Sequence, residues 1–531
     1  MYSRRDFVKT ATFATGALAL NLQRLSGQPR IAEFFGLNDF IENHPDAVFI
    51  VRTNIDVKTN ATAIKTVGRT LGQTLFVAKS DATNGYPIGT AVAIKPNLTS
   101  WAWDKAPIEQ TMGIHTDANF VEGMIDSLKD LGVASGNIFI REANYSSSRV
   151  DGTWYKDMAQ RSGVNLKQFS TVSVLTPEEV QWVDVPNGVW YTKIPYLAPV
   201  RSPGSCLLNI AKFKSHSMGM TLCSKNIQGT NARPYVAHCT AWGTVMSGVN
   251  TQHIVPDAFT TIKANYDRHV LAKIPRWGTS GFGASSGLGM ETHSSRCLDN
   301  NSVLSPLINI VEGVYGREGP FVSGPTDNNG YGKDIMANVL IFGKNARHVD
   351  IIGTYLAGHE LGNFGFFHLA VERGLSKYLN PRDIPLYEWK LDGTATLTPL
   401  ADFARTPIRT LYLRQAGEEQ YHMVNEPYDY TGTSYVNTPR HTQPDVFSIS
   451  QNFPNPFNPS TSIQYCIPEA GNVRLEIFDI RGDLVDVLID ASMPAGDHLS
   501  VWNSDRRPSG VYFYRMLYRG TRIAKSMVLV K

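Results

Sequence analysis

The sequence lacks most of the signatures by which a chain of this size declares its chemistry. Its five cysteines, at 206, 223, 239, 297 and 466, include no C-x-x-C pair. That excludes an iron–sulfur cluster held by a local cysteine run and argues against a disulfide framework. No basic tract is present: the formal net charge is +3, and Arg4, Arg5, Lys9 and Arg24 against Asp6 account for all of it. The chain beyond residue 27 is therefore near neutral and offers no electrostatic surface to nucleic acid. The glycine-rich run Gly278–Gly289 has neither Walker nor G-x-G-x-x-G spacing and reads as a loop. His359-Glu360 is followed by Asn363 where a zincin helix needs its second histidine. No segment is long and apolar enough to be a transmembrane anchor. What remains is a folded composition, 42% hydrophobic and 18% charged, on a chain of 531 residues that is too long for one core.

The two ends differ from the middle. Ser3-Arg4-Arg5-Asp6-Phe7-Val8-Lys9 precedes an uncharged stretch from Thr10 to Gln23. This resembles a twin-arginine signal, read as a removable peptide over residues 1–27. The resemblance implies export of a folded chain by the twin-arginine translocase, a route often taken by proteins that acquire a cofactor in the cytoplasm. At the other end, Gln451-Asn-Phe-Pro-Asn-Pro-Phe-Asn-Pro-Ser-Thr461 breaks helices and sets turns. Short β-rich runs follow at 462–467, 473–478, 484–488, 498–502, 511–517 and 523–530. Val473, Leu475 and Ile477 alternate with Arg474 and Glu476, the period of a half-buried strand. A small Ig-like β-sandwich is expected. Residues 448–531 resemble the type IX secretion C-terminal sorting domain, through the opening motif, Phe478-Asp-Ile-Arg-Gly482, Ser509–Tyr514 and Lys525–Lys531. That implies the type IX machinery as partner, and a secreted or surface-attached protein of a Gram-negative bacterium. Residues 426–447 read as a linker.

Between the ends, over residues 40–425, strand-like and helix-like stretches alternate. Strands are expected at 91–94, 137–141, 206–210, 307–311 and 338–342. Helices are expected at 117–131, 347–357 and 366–375. The first has Thr116 or Asp117 as N-cap, a stripe of Phe120, Val121, Met124, Ile125, Leu128 and Leu131, and Gly132 at its end. This order predicts an α/β domain with a mainly parallel sheet covered on both faces. In such sheets ligands sit beyond the C-terminal strand ends.

Two segments follow strands directly. Lys95-Pro96-Asn97 follows the first. The strand ending at Ile210 leads into Lys212, Lys214 and His216, then Lys225-Asn226, Arg233 and His238. Lysine and arginine supply charge-assisted donors and histidine exchanges a proton near neutral pH, so the cluster suits a small anionic ligand. The candidate catalytic residues are His216, Lys225 and His238; the candidate ligand-binding residues are Lys95, Asn97, Lys214, Asn226 and Arg233. A metal ion is a candidate cofactor, with His115, His216, His238, Glu312 and Asp350 as its ligands. Ile94–Leu98, His115, Asn209–His216, Thr221–Gly229, Ile310–Gly313, His348–Asp350 and Glu372–Leu375 together make residues 90–380 resemble the family called domain of unknown function 362. The resemblance implies a fold and site positions but no reaction. Two classes of function stay open: an exported enzyme with its site at the strand ends, and a non-catalytic surface protein that captures a ligand there.

Overall fold

A computed structural model of the chain describes residues 32–530 apart from 84, 99–108, 110–111, 144–153, 168–174, 233–234, 236–252, 272, 276–286, 320–331, 413–420, 432–446, 450, 453–454, 494–495 and 505–506. The fold divides into two compact units between Tyr430 and Thr431.

The first unit is organised by one ten-stranded sheet. Its strands are β1 (Val48–Arg52), β2 (Val92–Pro96), β3 (Ile138–Ile140), β4 (Asn165–Leu166), β5 (Cys206–His216), β6 (Gly219–Thr221), β7 (Ile308–Glu318), β8 (Lys333–Gly343), β9 (Leu386–Trp389) and β10 (Ala395–Leu397). Their order is β10-β9-β1-β8-β7-β5-β2-β3-β4, with β6 paired to β5. The run β7-β5-β2-β3-β4 is parallel throughout. On the far side β8 is antiparallel to both β7 and β1. The sheet is thus mixed and mostly parallel, as the strand–helix alternation predicts.

Eight helices build the cores or border the strand ends: α1 (Ala61–Leu75), α2 (Ala118–Asp130), α3 (Tyr155–Ser162), α4 (Cys223–Asn226), α5 (Ala258–Leu271), α6 (Gly287–Val303), α7 (Ala346–Leu356) and α8 (Gly365–Glu372). Strand alternation divides the apolar residues between two cores. Val92, Ile94, Leu208 and Ile210 join Ile64 and Leu71 of α1 and the stripe of α2. Ala93 and Leu207 join Ile262 of α5 and Leu288 of α6. Both sheet faces are therefore covered, which explains why these strands read as continuous apolar runs. Each buried aliphatic side chain contributes ~1.5–3 kcal/mol.

Helix α2 follows its sequence closely. The Asp117 carboxylate caps it by accepting from the Asn119 and Phe120 N–H groups at 2.7 and 3.2 Å. Gly132, with φ of 103°, ends it. Helices α1 and α2 meet backbone to backbone: a Cβ on Gly68 would lie 2.3 Å from the Phe120 carbonyl oxygen, and one on Gly123 would lie 2.2 Å from that of Lys65.

Strand β5 departs from expectation. It does not stop at Ile210 but continues to His216, buried at every position. Lys212, Lys214 and His216 are therefore strand residues and not members of a following loop. The strand can continue because its cations find partners inside. Lys212 Nζ donates to Glu312 Oε2 at 2.6 Å and lies 3.4 Å from the Tyr315 ring centroid, while Lys214 Nζ donates to the Ile114 carbonyl. Helix α6 is not anticipated by the sequence pattern. Its first residues, Gly287–Gly289, are the end of the run that reads as a loop, and Glu291, Thr292, His293, Arg296, Asp299 and Asn300 are all buried. The remainder of that run, Gly278–Ser286, lies outside the described residues.

The second unit consists of two antiparallel sheets. Strands β11 (Ser448–Ile449), β12 (Ser460–Ile467) and β15 (Gly496–Asn503) form one; β13 (Gly471–Phe478), β14 (Leu484–Met493), β16 (Gly510–Tyr518) and β17 (Thr521–Leu529) form the other, in the order β14-β13-β16-β17. Ile463 and Trp502 from the first sheet share a core with Leu475, Tyr514 and Met527 from the second.

Candidate functional site

The C-terminal ends of β2, β3 and β5 carry the polar residues that the sequence singles out, and all but one of those described are buried. Lys95 is the penultimate residue of β2. Its Nζ donates to Glu142 Oε2 at 2.8 Å and to Asn226 Oδ1 at 3.0 Å. Asn97 donates from Nδ2 to the same Asn226 oxygen at 3.1 Å. Asn226 returns its own Nδ2 to the Lys95 carbonyl at 3.1 Å and to Asn209 Oδ1 at 2.9 Å. Segments of β2, α4 and β5 are thus stitched into one polar network. Gly229 lies against it so closely that a Cβ there would sit 2.5 Å from Lys95 Cε and 2.7 Å from Glu142 Oε1.

Glu142 is missing from the residues that sequence reasoning selects, although its signal is present. It is the second residue after β3, as Asn97 is the first after β2, and a carboxylate just past a parallel strand is a site position by the same argument. His293 has no such signal, because α6 is buried on all sides and shows no amphipathic period. Its ring stacks on that of His216 with centroids 5.8 Å apart.

Electrostatics tie Lys225 to this network. Burial, then the charge of Lys225, hold the Lys214 ammonium well below the ordinary lysine range. Burial and then Lys225, His293 and Lys214 hold His216 well below the ordinary imidazole range. Lys95 is lowered chiefly by burial, against the pull of Glu142. His216 Nδ1 accepts the Met218 N–H at 3.1 Å, which leaves the ring proton on Nε2. At neutral pH His216 is a neutral donor, not the ready proton acceptor that its type alone suggests.

Lys225 itself is only half-buried and forms no hydrogen bond or ion pair with any described residue. It lines a small pocket with Met218, Met220, Leu222, Phe364, Phe366, Phe367, Thr354 and Asp350. The buried Asn97 Oδ1, Gln228 Nε2 and both amide atoms of Asn231 also lack hydrogen-bond partners among the described residues.

Among the described residues, the proposed metal ligands His115, His216, Glu312 and Asp350 do not gather. Glu312 is taken by Lys212 and by the N–H groups of Asp117 and Val314 at 3.1 and 3.2 Å. Asp350, on α7, accepts the N–H groups of Cys223 and Ser224 at 2.7 and 2.8 Å and so fixes the start of α4. Burial pushes its carboxyl up to about 7. His115 stands beside Lys212 and Lys214 and is pushed down to about 3, by burial first and those two cations second. Among the described residues no three His, Cys, Asp or Glu side chains form a metal-holding group. Arg233 and His238 lie outside the described residues. The four described cysteines are buried and free, and among the described residues no helix is long and apolar enough to cross a membrane.

Comparison with known proteins agrees with the sequence motifs. The family model described as Domain of unknown function (DUF362) matches residues 92–355, from the first residue of β2 to the penultimate residue of α7. Every described residue of the Lys95–Glu142–Asn226 network falls inside that span. No curated protein matches the chain.

Proposed function

We propose that the first unit is an enzyme that binds a small anion at the C-terminal ends of β2, β3 and β5, on a chain that is exported. The observation that carries the reading is Lys225. It is an ammonium without a described partner, beside a pocket, close enough to Lys95, Lys214 and His216 to depress their protonation. Glu142 pairs with Lys95, so the charge of Lys225, placed beside Lys214 and His216, still calls for an anion. In this reading Lys225 provides the charge with Lys214 beside it, Gln228 and Asn231 donate amide N–H groups to the ligand, and Asn97 Oδ1 accepts from any hydroxyl it carries. Lys95 is a positioning residue, set by Glu142 and Asn226. His216 donates from Nε2. Capture of the same ligand without turnover is the rival reading, and turnover assays on any ligand found separate the two.

Equilibrium titration of the full chain with inorganic phosphate and acetate tests the anion site. Binding should weaken at least tenfold in Lys225→Met and fall with added salt. Circular dichroism should be unchanged, since Lys225 is partly exposed and holds no described residue in place. Equal affinity of wild type and Lys225→Met for every anion tried sinks the proposal.

Export is part of the same proposal, supported by Ser3–Lys9 and by the strand pattern of residues 448–531. The second unit is read as an Ig-like sandwich serving the type IX machinery, with a secreted or surface-attached product. Replacing Arg4 and Arg5 together by lysine should retain the chain in the cytoplasm, and removing 448–531 should stop it in the periplasm. Unchanged fractionation in both variants refutes the route.

A further inference from the structure

The pocket beside Lys225 has a composition that narrows its ligand. We infer that it takes a small monocarboxylate with an apolar tail, an inference that rests on the anion-binding reading of Lys225, the residue this pocket shares with the polar cluster. Six of the nine lining residues are apolar: Met218, Met220 and Leu222 on one side, Phe364, Phe366 and Phe367 on the other. All six are buried. Met218 and Met220 flank the β5–β6 turn, and Leu222 leads from β6 into α4. The phenylalanines come from the N-cap and first turn of α8. Walls of methionine and aromatic rings attract little that is strongly hydrated, and methionine adapts to tails of differing shape.

The polar residues of the pocket are Lys225, Asp350 and Thr354. Asp350 does not neutralise Lys225. Its two oxygens are occupied by the Cys223 and Ser224 N–H groups, and no ion pair joins it to the lysine. Thr354 is buried within α7. The pocket thus presents one uncompensated positive charge at the edge of an apolar chamber. A free phosphate matches the charge but leaves the chamber walls uncovered; a neutral alkane matches the walls but leaves the charge. A carboxylate with a short hydrocarbon tail satisfies both, with its oxygens at Lys225 Nζ and its methylenes against Met218, Met220 and Phe367.

The test is calorimetric titration of the full chain with acetate, butyrate, butyramide and inorganic phosphate. Butyrate should bind about tenfold more tightly than acetate, the gain expected from burying two methylenes. Butyramide, which keeps the tail and lacks the charge, should bind at least tenfold more weakly than butyrate. Lys225→Met should erase the difference between butyrate and butyramide. Phe367→Ala should erase the difference between butyrate and acetate, weakening butyrate far more than acetate. Phe366→Leu serves as a milder second variant should Phe367→Ala not fold, and it should reduce that difference by a few-fold. If acetate, phosphate and butyrate all bind alike and all depend on Lys225, the anion site stands and the apolar-tail inference fails. If no anion binds, both fail.

Discussion

The two units keep their charges in opposite places. In the C-terminal unit the interior is apolar and aromatic, built from Ile463, Val473, Leu475, Ile477, Trp502, Tyr514 and Met516. Its ion pairs, such as Glu476 with Arg474 and Arg515, have partners 38–40% exposed on the cationic side. In the first unit the pairs Lys95–Glu142 and Lys212–Glu312 are almost wholly buried. Packing charge inside a sheet is unfavourable unless each group is matched, and hydrophobic residues of the same volume commonly serve stability as well or better. The interior of the C-terminal unit needs no such matching, whereas the strand ends of the first unit depend on it.

The contrast yields measurable differences. Lys212→Met should have the largest effect, a loss of ~3–5 kcal/mol, because it leaves Glu312 charged and unmatched beside Asp117. Chemical denaturation checks this, and Glu312→Gln in the same chain should recover much of the loss. A neutral outcome for Lys212→Met removes the distinction between the two interiors.

Asp350 should give the next largest effect. Its folded carboxyl is raised from 3.8 to about 7, so between those values the unfolded chain has released a proton that the folded chain still holds. Stability should therefore fall as pH rises from about 4 to 7 and level off above, by something on the order of 4 kcal/mol at most. His115 works in the opposite sense. Held near 3 when folded, it adds stability as pH rises from about 3 to its ordinary 6.5. The difference between wild-type and Asp350→Asn melting temperatures across pH 4–8 isolates the aspartate; a flat difference contradicts the assignment.

Gly229→Ala should lose ~1–3 kcal/mol, since its Cβ overlaps the Lys95–Glu142 pair and one of the two must shift. It should weaken anion binding at the same time, which a substitution in the C-terminal unit should not. Smallest of all, Arg515→Ala should stay within ~1 kcal/mol, as exposed ion pairs do; both are read from denaturation midpoints.

Legibility in the sequence follows the same division. Six strands of the C-terminal unit can be placed because side chains there alternate in and out of a single core. Helix α2 can be placed because Asp117, its stripe and Gly132 each obey a local rule. Strand β5 reads as ending at Ile210 because lysine is ordinarily a surface residue, and only Glu312, a hundred positions away, makes Lys212 tolerable inside. Helix α6 is invisible because it buries polar residues as well as apolar ones, so no period separates an inner face from an outer one. Lys95, Asn97, Lys225 and Asn226 are legible from position after strands and from their motifs. Glu142 is equally well placed but belongs to no motif, while the approach of His293 to His216 is purely tertiary.

The glycine seat between α1 and α2 has a mechanical consequence for that site. With main chain touching main chain at Gly68 and Gly123, α2 has no slack to slide or roll. Its leading end is further tied through Asp117, which receives the Tyr315 hydroxyl and gives its N–H to Glu312. The leading end of α2 is therefore fixed, and with it Thr116, whose hydroxyl receives the Asn97 N–H at 2.9 Å. The four residues of α4 are held in another way, by side chains, the paired N–H grip of Asp350 among them.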